Sequence, residues 1–222
     1  MDGPLDAETL AGNLRDLERI NRLLGGRALS WRAVEAVAHE LPGRQLTMLD
    51  VGTGAADIPR HLLARAQSAG IGLSVRATDV RPEILEHARR NGEPDPDLQL
   101  ELGDVDGLSH QADSFDIVHA SLVLHHLEPP EASRMLAEMG RVARRAVVIN
   151  DLDRARRWWL GAWLLSRLMT GNPYTRHDAP LSVRRAYTAD ELSALGAAAG
   201  LREKRRLRDP LGHRYALILA TS

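Results

Sequence analysis

The sequence predicts an α/β protein with a Rossmann-like, seven-stranded and mostly parallel sheet, helices on both faces, an antiparallel C-terminal hairpin and a helical cap. Two observations predict this fold. Short apolar runs alternate with helical patterns over residues 46–150, which is typical of strand–helix–strand units in a parallel sheet. The chain then ends in two strand-like runs joined by Asp209-Pro210-Leu211-Gly212, a turn sequence that favours a hairpin.

The composition is that of a globular chain with an apolar core. With 222 residues, 44% of them hydrophobic and 27% charged, one domain over residues 1–222 is expected. The formal net charge of −1 does not favour nucleic acid as a partner, and no apolar run is long enough to predict a membrane span. Cysteine is absent, which excludes disulfides and a cysteine nucleophile. The N-terminus lacks the apolar core of a secretory signal, so a cytoplasmic location is expected.

Two helices are predicted before the first strand, within residues 1–45. Leucine and isoleucine recur at steps of three and four over residues 6–24, which predicts the first helix. Ser30 is the candidate N-cap of the second helix, which is expected to end at Leu41. These helices could pack on the flank of the sheet or form the roof of a substrate pocket.

The predicted sheet core spans residues 46–150. Its strands are expected at Leu46–Val51, Leu73–Thr78, Leu98–Leu102, Phe115–Ser121 and Ala146–Asn150. Helices are expected between them at Asp57–Ala69, Arg81–Arg90 and Pro130–Val142. The carboxyl ends of parallel strands lie at one edge of a sheet, and ligands of such folds bind at that edge.

Residues 151–187 are predicted to cover a substrate, and residues 188–222 to form a helix, Ala189–Ala199, followed by the hairpin. The helix Asp153–Met169 carries three of the four tryptophans, of which Trp159 and Trp163 share a face. That helix could be a lid on the N-terminal helices, a hydrophobic wall for an aromatic ligand, or a contact of a homodimer or a membrane surface. A long polar loop is predicted over Thr170–Ala186.

A glycine turn follows the first predicted strand in the stretch TMLDVGTGAADIP. Gly52 and Gly54 permit positive φ and close approach of a ligand to the backbone. A dinucleotide-binding turn would have a third glycine at the sixth position from Gly52, where this chain has Asp57. Its carboxylate would repel a pyrophosphate, so NAD and FAD fit poorly. Asp50 and Asp57 favour a zwitterionic or cationic ligand instead.

Acidic residues also follow the next two predicted strands. Asp79 stands where a carboxylate can accept both hydroxyls of a ribose. Asp104 could accept a hydrogen bond from an adenine amino group, and Val105 could press on the ring. Each acid alone would be an ordinary turn or cap residue. Three of them at successive strand ends, Asp50, Asp79 and Asp104, in register with the glycine turn, favour a bound nucleoside.

These segments resemble the class I S-adenosylmethionine-dependent methyltransferases, in particular the small-molecule branch that includes the ubiquinone- and menaquinone-biosynthesis C-methyltransferases. The resemblance lies in LDVGTGAADIP, ATDVRPEILEHAR and LELGDVDGL with DSFDIVHASLVLHHL, and is strong over residues 46–150. It implies S-adenosyl-L-methionine as the cofactor. The family's turn often has a third glycine, where this chain has Ala56.

The resemblance also implies a role for each matching residue. The methionine portion of the cofactor would be held at the glycine turn, the ribose at Asp79 and the adenine at Asp104 and Val105. Ser121 would lie beside the methionine end or the methyl acceptor. The full set predicted to contact the cofactor is Asp50, Gly52, Thr53, Gly54, Asp57, Asp79, Val80, Asp104, Val105 and Ser121.

The expected acceptor is a small lipophilic molecule, such as a phenol, a quinone or a polyketide-like metabolite, methylated on oxygen or carbon. The Asn/Asp-Pro-Pro-Phe/Tyr motif of enzymes that methylate nucleobases or protein glutamine is missing after the fourth predicted strand, and Gly171-Asn172-Pro173-Tyr174 is interpreted as a turn. An RNA or protein methyltransferase and a non-catalytic cofactor-binding subunit remain alternatives. A homodimer is also compatible with the sequence.

The candidate catalytic residues are two histidines and an aspartate. His125 is the preferred general base if the acceptor is a hydroxyl, and His177 with Asp178 could orient or deprotonate a phenol. Arg176, Arg184 and Arg185 could bind an acidic group of the acceptor, or be solvated. No spacing predicts a metal site. The remaining histidines are interpreted as surface or helix residues: His39, His61, His87, His110, His119 and His213.

Overall fold

A single seven-stranded sheet organises the computed structural model, which describes residues 7–103 and 107–221. The strands are β1 Leu46–Val51, β2 Leu73–Asp79, β3 Leu98–Leu102, β4 Phe115–Ser121, β5 Ala143–Leu152, β6 Arg202–Arg208 and β7 Arg214–Ala220. Their order in the sheet is β3-β2-β1-β4-β5-β7-β6. Strands β1 to β5 are parallel, and β7 runs antiparallel between β5 and β6. The predicted fold class is confirmed.

Eight α-helices surround this sheet in the described part of the chain. They are α1 Ala7–Leu23, α2 Gly26–Ala38, α3 Asp57–Ser68, α4 Pro82–Asn91, α5 Pro129–Val142, α6 Arg156–Met169, α7 Pro173–Arg185 and α8 Ala189–Ala198. A 3₁₀ turn, Leu124–His126, follows β4. None of the described helices is long and apolar enough to cross a membrane.

The core has two halves because successive strand residues point to opposite faces of the sheet. On one face, Met48 of β1 is buried in the same cluster as residues of α2 and α3. On the other face, the adjacent Leu49 is buried with residues of α5 and α8. Apolar residues therefore occupy both faces of the parallel strands, as expected for a sheet covered by helices on both sides.

Two segments differ from the prediction. Helix α2 begins at Gly26, so Ser30 is a fully buried helix residue and not an N-cap. Residues 170–186 were predicted as a loop, but Pro173–Arg185 of this segment form α7. Asn172 caps this helix, because its side-chain oxygen accepts hydrogen bonds from the backbone N–H of Tyr174 at 2.9 Å and of Thr175 at 3.4 Å.

The sheet changes direction of winding at β1, which has β2 on one side and β4 on the other. Connections therefore leave the carboxyl ends of β1 and β4 in opposite directions, which opens a crevice at that edge. Helix α1 covers part of it, since Leu10 and Leu14 form a small apolar cluster with Ile84 of α4 and with Ala55 of the glycine turn. Helix α1 thus lies over this edge whereas α2 packs on the sheet, and a role of α1 as the roof of a substrate pocket stays a prediction.

Candidate functional site

The glycine turn at the end of β1 has three residues in the left-handed region: Gly52 with φ 69°, Gly54 with φ 57° and Ala56 with φ 57°. At Gly52 a Cβ atom would lie 2.6 Å from Cγ2 of Val123, so both conformation and space require glycine. Ala56 occupies the N-cap position of α3 without a side-chain cap. The turn thus presents backbone at the start of a helix, where N–H groups point towards a ligand.

Asp79, at the end of β2, is tied to this turn. Its Oδ2 accepts a hydrogen bond from the Gly54 N–H at 3.1 Å, and its Oδ1 accepts one from the Arg81 N–H at 3.1 Å. Burial raises the pKa of the Asp79 carboxyl above its ordinary value, against the lowering effect of these two hydrogen bonds. Val80, the residue after Asp79, is 48% exposed, and Leu102 of β3, which pairs with Asp79 in the sheet, is 61% exposed.

Asp50 is held by a buried polar network. Its Oδ1 lies 2.6 Å from Nδ1 of His119, and Nε2 of His119 lies 2.9 Å from Oγ of Ser30. The side-chain amide of Asn150 donates a hydrogen bond to Oγ of Ser30 at 2.8 Å. The Ser30 hydroxyl can therefore donate to Nε2 of His119, and the Nδ1–H of His119 can donate to Asp50. His119 is fully buried, so its interpretation as a surface or helix residue is wrong.

Asp57 does not present a free carboxylate to a ligand. Its Oδ2 accepts a hydrogen bond from Nε of Arg27 at 2.9 Å, and the Asn21 amide lies 3.4 Å from both of its oxygens. Burial raises the pKa of Asp57 more than the Arg27 hydrogen bond and charge lower it. The residue therefore fastens α1 and α2 to the start of α3, and its direct contact with the cofactor stays a prediction.

Three polar side-chain atoms at this edge are buried without a hydrogen-bond partner in the described part of the chain. They are Oγ1 of Thr53, Oγ of Ser121 and Oδ1 of Asn150. A buried polar atom without a partner costs about 1–3 kcal/mol, so such atoms are expected to meet ligand groups. Thr53 follows β1 and Ser121 ends β4, where it pairs with Asn150 of β5 in the sheet. This edge therefore suits a ligand with several polar groups.

Asp104 and Val105, the predicted adenine contacts, lie outside the described residues. The exposed apolar surface of Val80 and Leu102 is compatible with a ring stacked beside Asp79. Together with the glycine turn and the polar atoms without partners, the described residues fit the cofactor that the sequence predicts.

A largely apolar cavity of about 400 Å³ adjoins this edge, within the size range of small-molecule sites. It lies among α1, α6, α7 and the 3₁₀ turn after β4, with aliphatic residues of all three helices in its wall. Trp158 also lines it, whereas Trp159 and Trp163 are 37% and 38% exposed and do not. The expected hydrophobic wall therefore exists, but on a different face of α6 from the one predicted.

His125 and Asp151 form a buried pair in the wall of this cavity. Nδ1 of His125 lies 2.7 Å from Oδ1 of Asp151, whose Oδ2 accepts a hydrogen bond from the His125 N–H at 3.3 Å. Both side chains are nearly inaccessible, and His125 lines the cavity. Burial acts to raise the pKa of Asp151, but the charge and hydrogen bond of His125 outweigh it, so this pKa lies below its ordinary value.

The other two predicted catalytic residues lie on α7 and differ from each other. Asp178 lines the cavity, and its Oδ2 accepts a hydrogen bond from Oγ of Ser182 at 3.4 Å. His177 is exposed and does not line the cavity, because neighbouring residues on a helix point in different directions. A catalytic role of His177 therefore stays a prediction that this cavity does not support, whereas the interpretation of His213 as a surface residue is wrong, since His213 lines the cavity.

Asp151 was missed by the sequence analysis, although it directly follows the predicted fifth strand. The strand in fact continues to Leu152, which carries Asp151 into register with Tyr215 of β7 and buries it. The sequence did contain a signal: Asp151 follows the predicted fifth strand, and His125 follows the fourth, which is its neighbour in the sheet. Leu122, between β4 and His125, has φ 59°, a region uncommon for a branched side chain.

The fold and the site define a class of protein: an α/β protein whose sheet has a carboxyl edge that fits a nucleoside-containing cofactor, beside an apolar cavity. Residues 48–146 match the family model described as a methyltransferase domain. This segment contains the glycine turn, Asp79 and His125. The match agrees with the predicted methyltransferase core over residues 46–150, and two structurally similar proteins, a magnesium protoporphyrin IX methyltransferase from Synechocystis and human N-acetylserotonin methyltransferase, were solved with S-adenosylhomocysteine and S-adenosylmethionine bound.

Comparison with solved structures confirms the fold over nearly the whole chain. An S-adenosylmethionine-dependent methyltransferase from Aquifex aeolicus is similar with a TM-score of 0.66 and 19% identity, covering 99% of this chain and 100% of that one. An O-methyltransferase family 2 protein from Planctomyces limnophilus, crystallised with apigenin, is similar with a TM-score of 0.67 and 21% identity, covering 100% of this chain and 63% of that one.

Among curated proteins, the chain is similar to an uncharacterised 37.1 kDa protein of a Streptomyces fradiae transposon, with 29% identity over 154 residues. The alignment covers 68% of this chain and only 42% of that relative. The chain thus spans less than half the length of the curated relative it matches.

Proposed function

We propose that this methyltransferase acts on a hydroxyl oxygen of a lipophilic small molecule, with His125 as the general base. The observation that carries the proposal is the buried His125–Asp151 pair in the wall of an apolar cavity, directly beyond the strand that ends in Ser121. S-adenosyl-L-methionine, when bound, supplies the electrophilic methyl group. All other requirements fall on the residues of this chain.

The cofactor would be held by the residues that end β1, β2 and β4. Asp79 would accept the ribose hydroxyls, the backbone of Gly52 and Gly54 would approach the methionine portion, and the partnerless hydroxyls of Thr53 and Ser121 would bond polar groups of the ligand. Asp50 would act through its fixed position beside the turn, because His119 already bonds its Oδ1.

The orientation of His125 supports its role as a base. Asp151 accepts the Nδ1–H, so the neutral imidazole keeps its lone pair on Nε2, and no hydrogen bond to Nε2 is found among the described residues. A hydroxyl in the cavity can therefore donate to Nε2, and His125 would take up its proton as the oxygen becomes the nucleophile; the cofactor, when bound, would supply the methyl group and leave as S-adenosylhomocysteine. Asp151, ionised because His125 lowers its pKa, stabilises the imidazolium that forms.

The cavity supports a small lipophilic acceptor. Its aliphatic and tryptophan lining would bind an aromatic or polyketide-like ring system and exclude water, which fixes the hydroxyl near the base. An apolar chamber of about 400 Å³ suits such a molecule better than a polar nucleic acid. The O-methyltransferase family 2 protein with bound apigenin, a phenolic compound, supports the same acceptor class by analogy of fold.

The experiment is methyl transfer from S-adenosyl-L-methionine with a deuterated methyl group to a panel of phenols, hydroxyquinones and hydroxylated polyketides. Mass spectrometry would find the labelled product. The proposal expects labelled methyl ethers with the wild type, and a rate at least about 100-fold lower with His125→Gln.

His177→Gln is the matched control, because His177 is an exposed histidine outside the cavity. It is expected to retain the wild-type rate. Label on carbon or nitrogen, no transfer to any member of the panel, or an undiminished rate with His125→Gln would overturn the proposal.

A further inference from the structure

Arg214 is a buried arginine in the wall of the acceptor cavity. It is the first residue of β7, its side chain is 1% exposed, and it lines the cavity. Nη1 donates a hydrogen bond to Oδ1 of Asn21 at 3.1 Å. Nε is buried without any hydrogen-bond partner among the described residues. The guanidinium therefore has an unused donor edge inside the protein.

The surroundings make room for this guanidinium. A Cβ atom at Gly26 would lie 2.3 Å from Nη1 of Arg214, so the first residue of α2 must be glycine if the arginine is to keep its position. The Asn21 amide joins Arg214 on one side to Asp57 on the other. Arg214 thus occupies a specific niche between α1 and α2.

No carboxylate pairs with Arg214 among the described residues. The carboxylates of the three acids whose charges act on it have other partners than the guanidinium: Asp151 has His125, Asp57 has Arg27, and Asp209 accepts the backbone N–H groups of Leu211 and of Arg214 itself. Burial lowers the pKa of Arg214 to about 10, which still leaves it cationic at neutral pH. A buried charge is normally paired, so an unpaired one in a cavity wall indicates a binding role.

The sheet order puts this cation on the acceptor side of the site. Strands run β1-β4-β5-β7, so β7 lies three strand spacings from the glycine turn, or about 14 Å at the usual spacing. His125 follows β4 and bonds Asp151 of β5, between the two. An acceptor that reaches the methyl group with a hydroxyl at His125 can therefore extend towards Arg214.

We propose that Arg214 binds a carboxylate of the acceptor, so that the substrate class is a hydroxylated aromatic or polyketide carboxylic acid. This inference rests on the proposed function, since it uses the same cavity. The Nε–H and a neighbouring Nη–H form the planar fork that matches two carboxylate oxygens. The apolar walls would surround the ring system, and the carboxylate of the acceptor would neutralise the positive charge of Arg214.

The test measures binding and not turnover, so it is independent of methyl transfer. The probes are 6-hydroxy-2-naphthoic acid and 2-naphthol, which differ in the carboxylate, titrated by calorimetry in the presence of S-adenosylhomocysteine. The proposal expects the wild type to bind the naphthoate at least about tenfold more tightly than 2-naphthol, as a charge-assisted bidentate contact would provide. Arg214→Met is expected to abolish this preference and leave the affinities for 2-naphthol and S-adenosylhomocysteine within about twofold of the wild type.

Arg202→Met is the control, because Arg202 is an exposed arginine of the neighbouring strand β6. It is expected to keep the preference. Three results would overturn the proposal: equal binding of both probes by the wild type, a preserved preference in Arg214→Met, or loss of S-adenosylhomocysteine affinity in that variant.

Discussion

Replacing Asp151 by asparagine tests the catalytic pair while leaving the base in place. Asp151 accepts three hydrogen bonds, from Nδ1–H and backbone N–H of His125 and from the Leu152 N–H at 2.8 Å. Asparagine has nearly the same shape but no charge, and its amide group has one acceptor oxygen and one donor nitrogen. Two backbone N–H groups and one imidazole then compete for a single oxygen.

The expected outcome is a wrongly oriented or wrongly protonated imidazole. If the amide nitrogen faces Nδ1, His125 must carry its proton on Nε2 and cannot accept the hydroxyl proton. The imidazolium would also lose its ionic partner. General-base catalysis contributes about 10²–10⁴-fold, so the rate of methyl transfer should fall by that factor, which corresponds to about 3–5 kcal/mol of activation free energy.

The assay is the single-turnover rate of methyl transfer to a phenolic acceptor found in the labelled panel, with S-adenosylhomocysteine affinity measured in parallel. Cofactor affinity should stay within about twofold, because Asp151 lies in β5, whereas the predicted cofactor contacts lie at the carboxyl ends of β1 to β4. Asp178→Asn is the matched control, since Asp178 lines the same cavity but bonds Ser182. A rate for Asp151→Asn within about threefold of the wild type would refute the assignment of His125 as an oriented base.

Three further predictions concern the cofactor edge. Asp79→Asn should weaken S-adenosylhomocysteine binding by about 10–100-fold, since a charged acceptor is lost. Because the pKa of Asp79 is raised, its carboxyl takes up a proton above the ordinary value of 3.8, and the affinity of the wild type should fall as the pH drops through that pKa. Calorimetry at several pH values should show that Asp79→Asn lacks this dependence. Gly52→Ala should destabilise the fold by at least about 2 kcal/mol in urea unfolding, from the left-handed φ and the contact with Val123, and Val123→Ala should restore part of that loss. Ala56→Gly should change the free energy of unfolding by less than about 1 kcal/mol, because relief of the left-handed strain at φ 57° offsets the lost burial of the methyl group and the added entropy of the unfolded chain; a loss above about 2 kcal/mol would contradict the left-handed backbone.

The strand order and the cofactor edge could be predicted because they depend on local patterns. Apolar runs, glycines and acids at strand ends all lie within a few residues of one another, and β1 to β5 occur where the alternation predicts them. Asp79 and the glycine turn meet as expected, through the Gly54–Asp79 hydrogen bond. Contacts of this kind follow from the topology of parallel strands alone.

The contacts between distant segments could not be predicted in the same way. Asp57 pairs with Arg27, and His119 with Ser30, because α2 packs against the sheet at a position that no local pattern determines. Helix α7 was missed since it contains Pro180 and few strong helix formers, so that packing against α6 and α1 outweighs its low propensity. Arg214 was missed because a charged residue at the start of a strand normally reaches solvent.

The measurement that tests the central claim most directly is the position of a transferred label. The wild-type enzyme would be incubated with deuterated-methyl S-adenosyl-L-methionine and a hydroxylated aromatic acid, and the product examined by mass spectrometry and carbon NMR. The account predicts a labelled methyl ether that His125→Gln forms at least about 100-fold more slowly, while His177→Gln forms it at the wild-type rate. Label on a ring carbon or a carboxylate oxygen, or equal rates in all three proteins, would contradict methylation of a hydroxyl through His125.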